Sequence, residues 1–506
     1  MGSDRDVGAL VPGARVIDLG GALLLPGFID THTHLGWAGE GLWTVELGPV
    51  LYRATALERV RIAAARIDPG LWITGGGWNR ADLLDADLPS RAELDAVAGD
   101  TPVYLVSEDH DAATVNSRAL ALFHIDAATV DPPGSVIERD ARGAPTGRLF
   151  GRIVRGRMTT ETVPPRDRHR RRAELRAAIR ELNRHGVTEA HDIATYPDTG
   201  STPIVHRERG FTDATLFEDL DDAGELTLRV SVRPYLGRWA DAAERSRTKQ
   251  RALIRCRGLK MIIDDGRWSE GPDQGRYEFR YPGFDQTLAW MREADRAELD
   301  VTLHGLGDMA VTEALDLFGA IAETEPLRPR RQRLVHARRI SRRDIERIAR
   351  LGVLVEVQPW EIVEQLPLMA RSFSREFLAT AYPFADLLAA GARVAFGSDW
   401  RITPQRPDLA DMDPLCAIAA AVTRAPMGGG KPSQPAQRIS VAQAIRCYAE
   451  HAAWADGAES RRGAIRAGND ADLVVLSEDI VANPTSLERA QVTHSIVAGT
   501  VVFEAD

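Results

Sequence analysis

His32 and His34 stand two residues apart at the end of an apolar run, in FIDTHTHL. A strand has a side-chain period of two, so both imidazoles face the same side. Two ring nitrogens converging from one strand can hold a single divalent cation, at about 2.0–2.1 Å for zinc. Alone, His-x-His reads equally well as a polar strand end. Three further metal-competent side chains shift that balance: His304 follows VTL, His336 ends RLV and Asp399 ends ARVAFGS. Each closes a predicted strand. Four histidines and a carboxylate make an N/O-rich set suited to zinc, or alternatively to manganese, iron or nickel. Singly, each has a plainer reading as a capped strand end or a hydrogen-bonded core histidine; their joint placement favours the metal.

Lys260, in GLKMIIDDG, is the sixth candidate. The chain has 63 basic residues, yet only Lys249, Lys260 and Lys431 are lysines, so one kept in an apolar strand asks for a reason. Desolvation lowers a lysine pKa and yields a nucleophilic amine. Such an amine takes up carbon dioxide to give a carbamate, an anionic ligand able to bridge two cations. The plainer alternative pairs Lys260 with Asp264 or Asp265.

The elements that must position these residues repeat. RHRRRAELRAAIRELNRHG reads as an amphipathic helix closed by Gly186, with VTEAHD following as a strand. LAWMREADRAELD then VTLHG, SRRDIERIARLG then VLVEVQP, and FADLLAAG then ARVAFGSD repeat the unit. Such repetition predicts parallel βαβ units, enough of them for an α/β fold of the (β/α)₈ TIM-like barrel type, with function at the C-terminal strand ends. Residues 27–461 are expected to form the barrel, with 37–165 inserted after its first strand as a lid or subdomain. The flanks, 1–26 and 462–506, read as strands with Gly turns and are expected to pair into a small β-sandwich. The glycine-rich MGGGKPSQP (427–435) reads as a loop and lacks phosphate-binding spacing.

At 506 residues the chain exceeds what one hydrophobic core usually serves. A net charge of −10 argues against nucleic-acid or anionic-membrane partners. No apolar run approaches the roughly 18–20 residues of a membrane span, and the N-terminus lacks a signal-peptide pattern. Cys256, Cys416 and Cys447 show no paired spacing, which excludes a cysteine zinc site and fits a reducing cytoplasm.

The order HxH, Lys, His, His, Asp, with LPGFIDTHTHL, LKMIIDDG, HGLGD, RLVHA, GSDW and the closing GAIRAGNDADLVVL, resembles the amidohydrolase superfamily. GVTEAHD and DHDAATVNSRAL look most like the branch with N-substituted formamide deformylase and YtcJ-like proteins. The likeness runs from Val16 to the C-terminus. It implies zinc or a similar metal, one or two ions, held by His32, His34, Lys260 as carbamate, His304 and His336, with Asp399 touching metal and water. It implies hydroxide attack on a carbonyl, with Asp399 moving the proton to the departing nitrogen. The chain departs from the branch at Val335, where glutamate is common, and at Arg401, where proline is usual. Its N-terminus is short, through either a start assigned late or a trimmed sheet; a trimmed sheet would leave an exposed edge that a partner subunit could cover, as in a homodimer.

His110, in the insertion, could hydrogen-bond a substrate or serve structure. Trp78, Trp268, Tyr277 and Trp360 could wall a pocket for an apolar or aromatic molecule, though singly such residues more often pack. Asp192 could orient a neighbour. His124, His185, His191, His206, His451 and His494 have no ligand-like setting. The leading expectation is hydrolysis of an amide, formamide or related C–N bond in a small molecule. Deamination or cyclic-imide hydrolysis would use the same site, and decarboxylation is open to the scaffold. A catalytically silent binding or regulatory relative would be free to lose ligands that this chain keeps.

Overall fold

The computed structural model describes residues 16–47, 52–78, 89–107, 111–156, 162–163, 167–193, 209–249, 251–264, 266–270, 282–323, 329–400, 412–425 and 430–505. The chain divides into two compact units. One comprises Ile179–Trp400 with the described parts of Met1–His34 and Arg406–Asp506; the other is the described part of Leu35–Ala178.

In the first unit, helix and strand alternate for reasons visible locally. Ser341 caps the helix Arg342–Leu351, its Oγ accepting from the Asp344 amide at 3.1 Å. Ile345 and Ile348 bury one face of that helix, and Gly352 ends it at φ +67°. The chain then enters the strand Leu354–Val357. Gly186, at φ +81°, makes the corresponding turn into the strand Val187–Ile193.

Two parallel sheets result. The first runs, in order, Ile254–Arg255, Arg229–Arg233, Val187–Ile193 and Phe28–Thr33. The second runs Gly258–Ile262, Asp300–Gly305, Arg333–His336, Leu354–Val357 and Val394–Phe396. Where sequence predicts one closed ring of strands, the ladders form two sheets. Their borders meet in isolated parallel bridges, Thr33 with Trp400 and Tyr235 with Lys260.

Gly397 makes one of these approaches feasible: a Cβ there would stand 2.6 Å from the Cβ of His32. Aliphatic side chains fill the space between strands and helices, with Ile29, Leu354 and Ala395 packed on Ala452, Ala453 and Ala455. Charged side chains are buried as well, in pairs, as the cost of an unpaired buried charge requires. Arg233 meets Asp456 at 3.2 Å, and Arg462 meets Glu189.

The terminal segments meet in one antiparallel sheet, Leu23–Pro26, Leu473–Leu476, Val492–Val497 and Thr500–Glu504. The second unit has its own six-stranded mixed sheet, with Thr44–Glu46, Ile73–Trp78 and Val103–Ser107 parallel and the remaining strands antiparallel. Its helix Arg91–Ala98 starts in a capping box between Ser90 and Glu93. No helix among the described residues is long and apolar enough to cross a membrane.

Candidate metal centre

His32, His336 and Asp399 are buried, and one ligand atom from each lies within 4.8 Å of the other two. His32 comes from the strand Phe28–Thr33 and His336 ends Arg333–His336. Asp399 lies three residues past Val394–Phe396. His34 and His304 flank the triad. The His34 ring centroid is 5.3 Å from that of His32, and the His304 centroid is 4.3 Å from that of His336.

The ring nitrogens are assigned by their partners. His34 Nδ1 lies 2.7 Å from the Ile193 carbonyl, which can only accept, so Nδ1 carries the hydrogen. His34 Nε2 then points at Asp399 Oδ1, 3.1 Å away. His336 Nδ1 is held by Gln358 Oε1 at 2.8 Å, which leaves its Nε2 as the donor atom. Burial first, then the adjacent His304, holds His336 well below the ordinary imidazole range. Burial, with help from the Lys260 cation, pushes His32 down to about 4. Both rings are therefore neutral near pH 7, the form that binds metal.

Backbone strain concentrates here. His336 takes φ +68° and Asp399 φ +51°, a left-handed region that costs residues with a Cβ roughly 1–3 kcal/mol. Asp399 is kept there by its own amide, which donates to the His32 carbonyl at 2.7 Å. Asp30 tightens the junction. Its carboxylate accepts from the His32 amide at 3.1 Å, the Ser398 amide at 2.9 Å and the Ser398 hydroxyl at 2.6 Å. Trp360 donates from Nε1 to the Ser398 carbonyl at 2.7 Å.

One expectation is corrected. The converging donors make a single triad of His32, His336 and Asp399, and a two-zinc centre bridged by a Lys260 carbamate does not result. Lys260 is buried on the strand Gly258–Ile262, in register with Thr302 of the neighbouring strand. The Asp264 carboxylate is committed to the loops, accepting from the amides of Gly266, Arg267, Leu306 and Gly307 at 2.7–3.1 Å.

The remaining candidates scatter. Trp78 packs inside the second unit with Leu94 and Leu105. Trp268 stacks edge-on against Phe373 and Phe377, with centroids at 5.4 and 6.1 Å. Asp192 is buried and lies in register with Thr33. His110, Tyr277 and Arg401 lie outside the described residues. A cavity of about 750 Å³ lined by Arg247, Arg251, Arg255 and Arg257 contains none of the triad.

Sequence reasoning passes over Asp30, Glu356, Gln358 and Ser398. The available signal is alternation: Glu356 and Gln358 are polar at a spacing of two on an otherwise apolar strand, as are Asp30 and His32.

The chain is 28% identical to the YtcJ protein of Bacillus subtilis over 512 residues, covering 97% of this chain and 91% of that one. It is 27% identical to the N-substituted formamide deformylase of Arthrobacter pascens over 537 residues, covering 100% and 93%. Among solved structures, an uncharacterized metal-dependent hydrolase from Pyrococcus furiosus superposes with a TM-score of 0.64 at 23% identity, covering 94% of this chain and 92% of that one. The model of the amidohydrolase family matches residues 15–503, and the chain belongs to that family.

Proposed function

We propose that this chain is a metal-dependent hydrolase of a C–N bond, amide, formamide or related, in a small molecule, with one divalent ion held by His32, His336 and Asp399. The observation that carries the reading is the convergence of two neutral imidazoles and a carboxylate in a buried cluster. His34 Nε2 stands 3.1 Å from Asp399 Oδ1, beside the triad. A divalent transition ion bound by this set supplies Lewis acidity, polarising a carbonyl and lowering the pKa of water.

The residues do the rest. Asp399 is 4% exposed, so its carboxylate acts in a setting where charge interactions are strong. It can take a proton from the attacking water and return it to the departing nitrogen. Gln358 and the Ile193 carbonyl fix the rings of His336 and His34, so the donor atoms need no reorganisation. His304 and Lys260 stand beside the triad, where Lys260 helps to keep the histidines neutral.

We read the two parallel sheets as one (β/α)₈ barrel. The Thr33–Trp400 and Tyr235–Lys260 bridges at the sheet borders support closure. The formamide chemistry is suggested by the Arthrobacter pascens relative, an N-substituted formamide deformylase. The test is a panel of N-formyl, N-acyl and cyclic amides, with release of formate, carboxylate and amine quantified on protein of known metal content. Release from one class, abolished by chelation and restored by metal, is expected; no release from any metal-loaded sample overturns the reading.

A further inference from the structure

We propose that Glu356 is the positioning residue for His32, and that Arg333 holds Glu356 in place. The inference rests on His32 being a metal ligand. Glu356 lies on Leu354–Val357 with no exposed surface. One oxygen, Oε1, accepts from Arg333 Nη1 at 2.5 Å. The other, Oε2, faces His32 Nδ1 at 3.7 Å. On the far side of the same ring, His32 Nε2 lies 3.7 Å from Asp399 Oδ1. A carboxylate at Nδ1 favours the tautomer with hydrogen on that nitrogen and presents the Nε2 lone pair to a cation.

The alternative makes Glu356 merely the counter-ion of Arg333. Three observations favour the larger role. Arg333 offers Glu356 one nitrogen rather than the two-pronged grip of a simple Arg–carboxylate pair. It has two other acceptors, His191 Nδ1 at 2.9 Å and the Ala455 carbonyl at 2.5 Å. The second Glu356 oxygen is turned toward the His32 ring. The histidines of the centre are also treated alike: Gln358 takes the Nδ1 of His336 and Ile193 that of His34. Glu356 Oε2 stands at the corresponding nitrogen of His32, at 3.7 Å, and both of these buried atoms are otherwise without a hydrogen-bond partner.

The experiment loads metal-free protein with cobalt(II) in competition with a chromophoric chelator and records the visible spectrum of the bound ion. Glu356→Gln leaves Arg333 as an uncompensated buried charge, so its folding is followed by thermal melting. The double variant Glu356→Gln/Arg333→Met removes both charges together and avoids that penalty. Both variants are expected to bind cobalt about 10–100-fold more weakly than wild type, with a shifted spectrum. A folded double variant with wild-type affinity and spectrum overturns the proposal, leaving Glu356 a counter-ion only. Failure of the wild-type protein to bind cobalt would overturn the metal reading itself, and this assignment with it.

Discussion

The Asp399 amide donates to the His32 carbonyl at 2.7 Å, so the first and last members of the triad in sequence are sewn together through the backbone. Ligands 367 residues apart thereby share one rigid junction, with the Asp30 carboxylate clamping both sides. Rigidity of this kind keeps donor atoms in place without cost at the moment of reaction.

Asp399→Asn tests the carboxylate in that junction. The amide keeps the size of the side chain but loses the negative charge and most of the proton affinity. Turnover should fall by about 10²–10⁴-fold, the usual worth of general acid–base catalysis, with more loss if metal is also released. Steady-state rates beside metal content per chain read both effects. A variant with wild-type kcat would remove Asp399 from the chemistry.

Metal removal should affect stability as well as rate. The triad and its flanking histidines crowd acceptors together in a buried space. An ion that binds the folded chain alone stabilises it by about 2.7 kcal/mol when present at 100 times its Kd. Melting curves of chelated and reloaded protein should therefore differ by several degrees, and elemental analysis should approach one equivalent per chain. Two equivalents would revive a binuclear centre.

The site was legible in sequence wherever a ligand closes a buried strand. His32, His336 and Asp399 each follow a run of apolar residues, and the helix-then-strand repeat fixes which end of the strand they occupy. Lys260 misleads, because its scarcity and apolar flanks fit a carbamate and a buried cation equally well. Glu356 and Gln358 obey the same period-two rule as His32 and His34. Periodicity assigns them a face but not the histidine each meets: Gln358 meets His336 of the preceding strand, whereas Glu356 approaches His32 from the other end of the chain. The left-handed backbone at His336 and Asp399 is likewise held by tertiary contacts; His and Asp tolerate that region better than most residues, but the residue type alone does not single out these positions.

His185 should give stability a pH dependence unrelated to the metal. Burial opposes its charge, but Asp413 at 3.5 Å and Glu181 at 3.6 Å outweigh burial and raise its pKa to about 9. A group raised in the folded state binds protons more tightly there, so its contribution is full below the unfolded value near 6.5 and disappears as pH rises through 9. The shift corresponds to about 3.4 kcal/mol at most. Urea unfolding of wild type and His185→Ala between pH 6 and 10 should show wild type losing its advantage across that window. Parallel profiles would remove His185 as the cause.

Two glycine substitutions should move stability in opposite directions. Gly397→Ala would place a methyl 2.6 Å from the His32 Cβ, with the His32 backbone nitrogen at 2.7 Å. Neither atom is the free end of a flexible side chain, so the Phe28–Thr33 and Val394–Phe396 strands must separate, at about 1–3 kcal/mol for overpacking. The separation would also widen the His32–Asp399 junction, so metal affinity should fall along with stability. Gly319 lies inside the helix Asp308–Ala322, where an added Cβ meets nothing within 4 Å. Ala at that position should raise stability by about 1 kcal/mol through helix propensity and leave metal affinity unchanged. Thermal melting and cobalt titration of both variants decide the matter. A Gly397→Ala protein with unaltered cobalt affinity would show that the junction tolerates displacement, and that the triad is not held by the His32–Asp399 backbone contact.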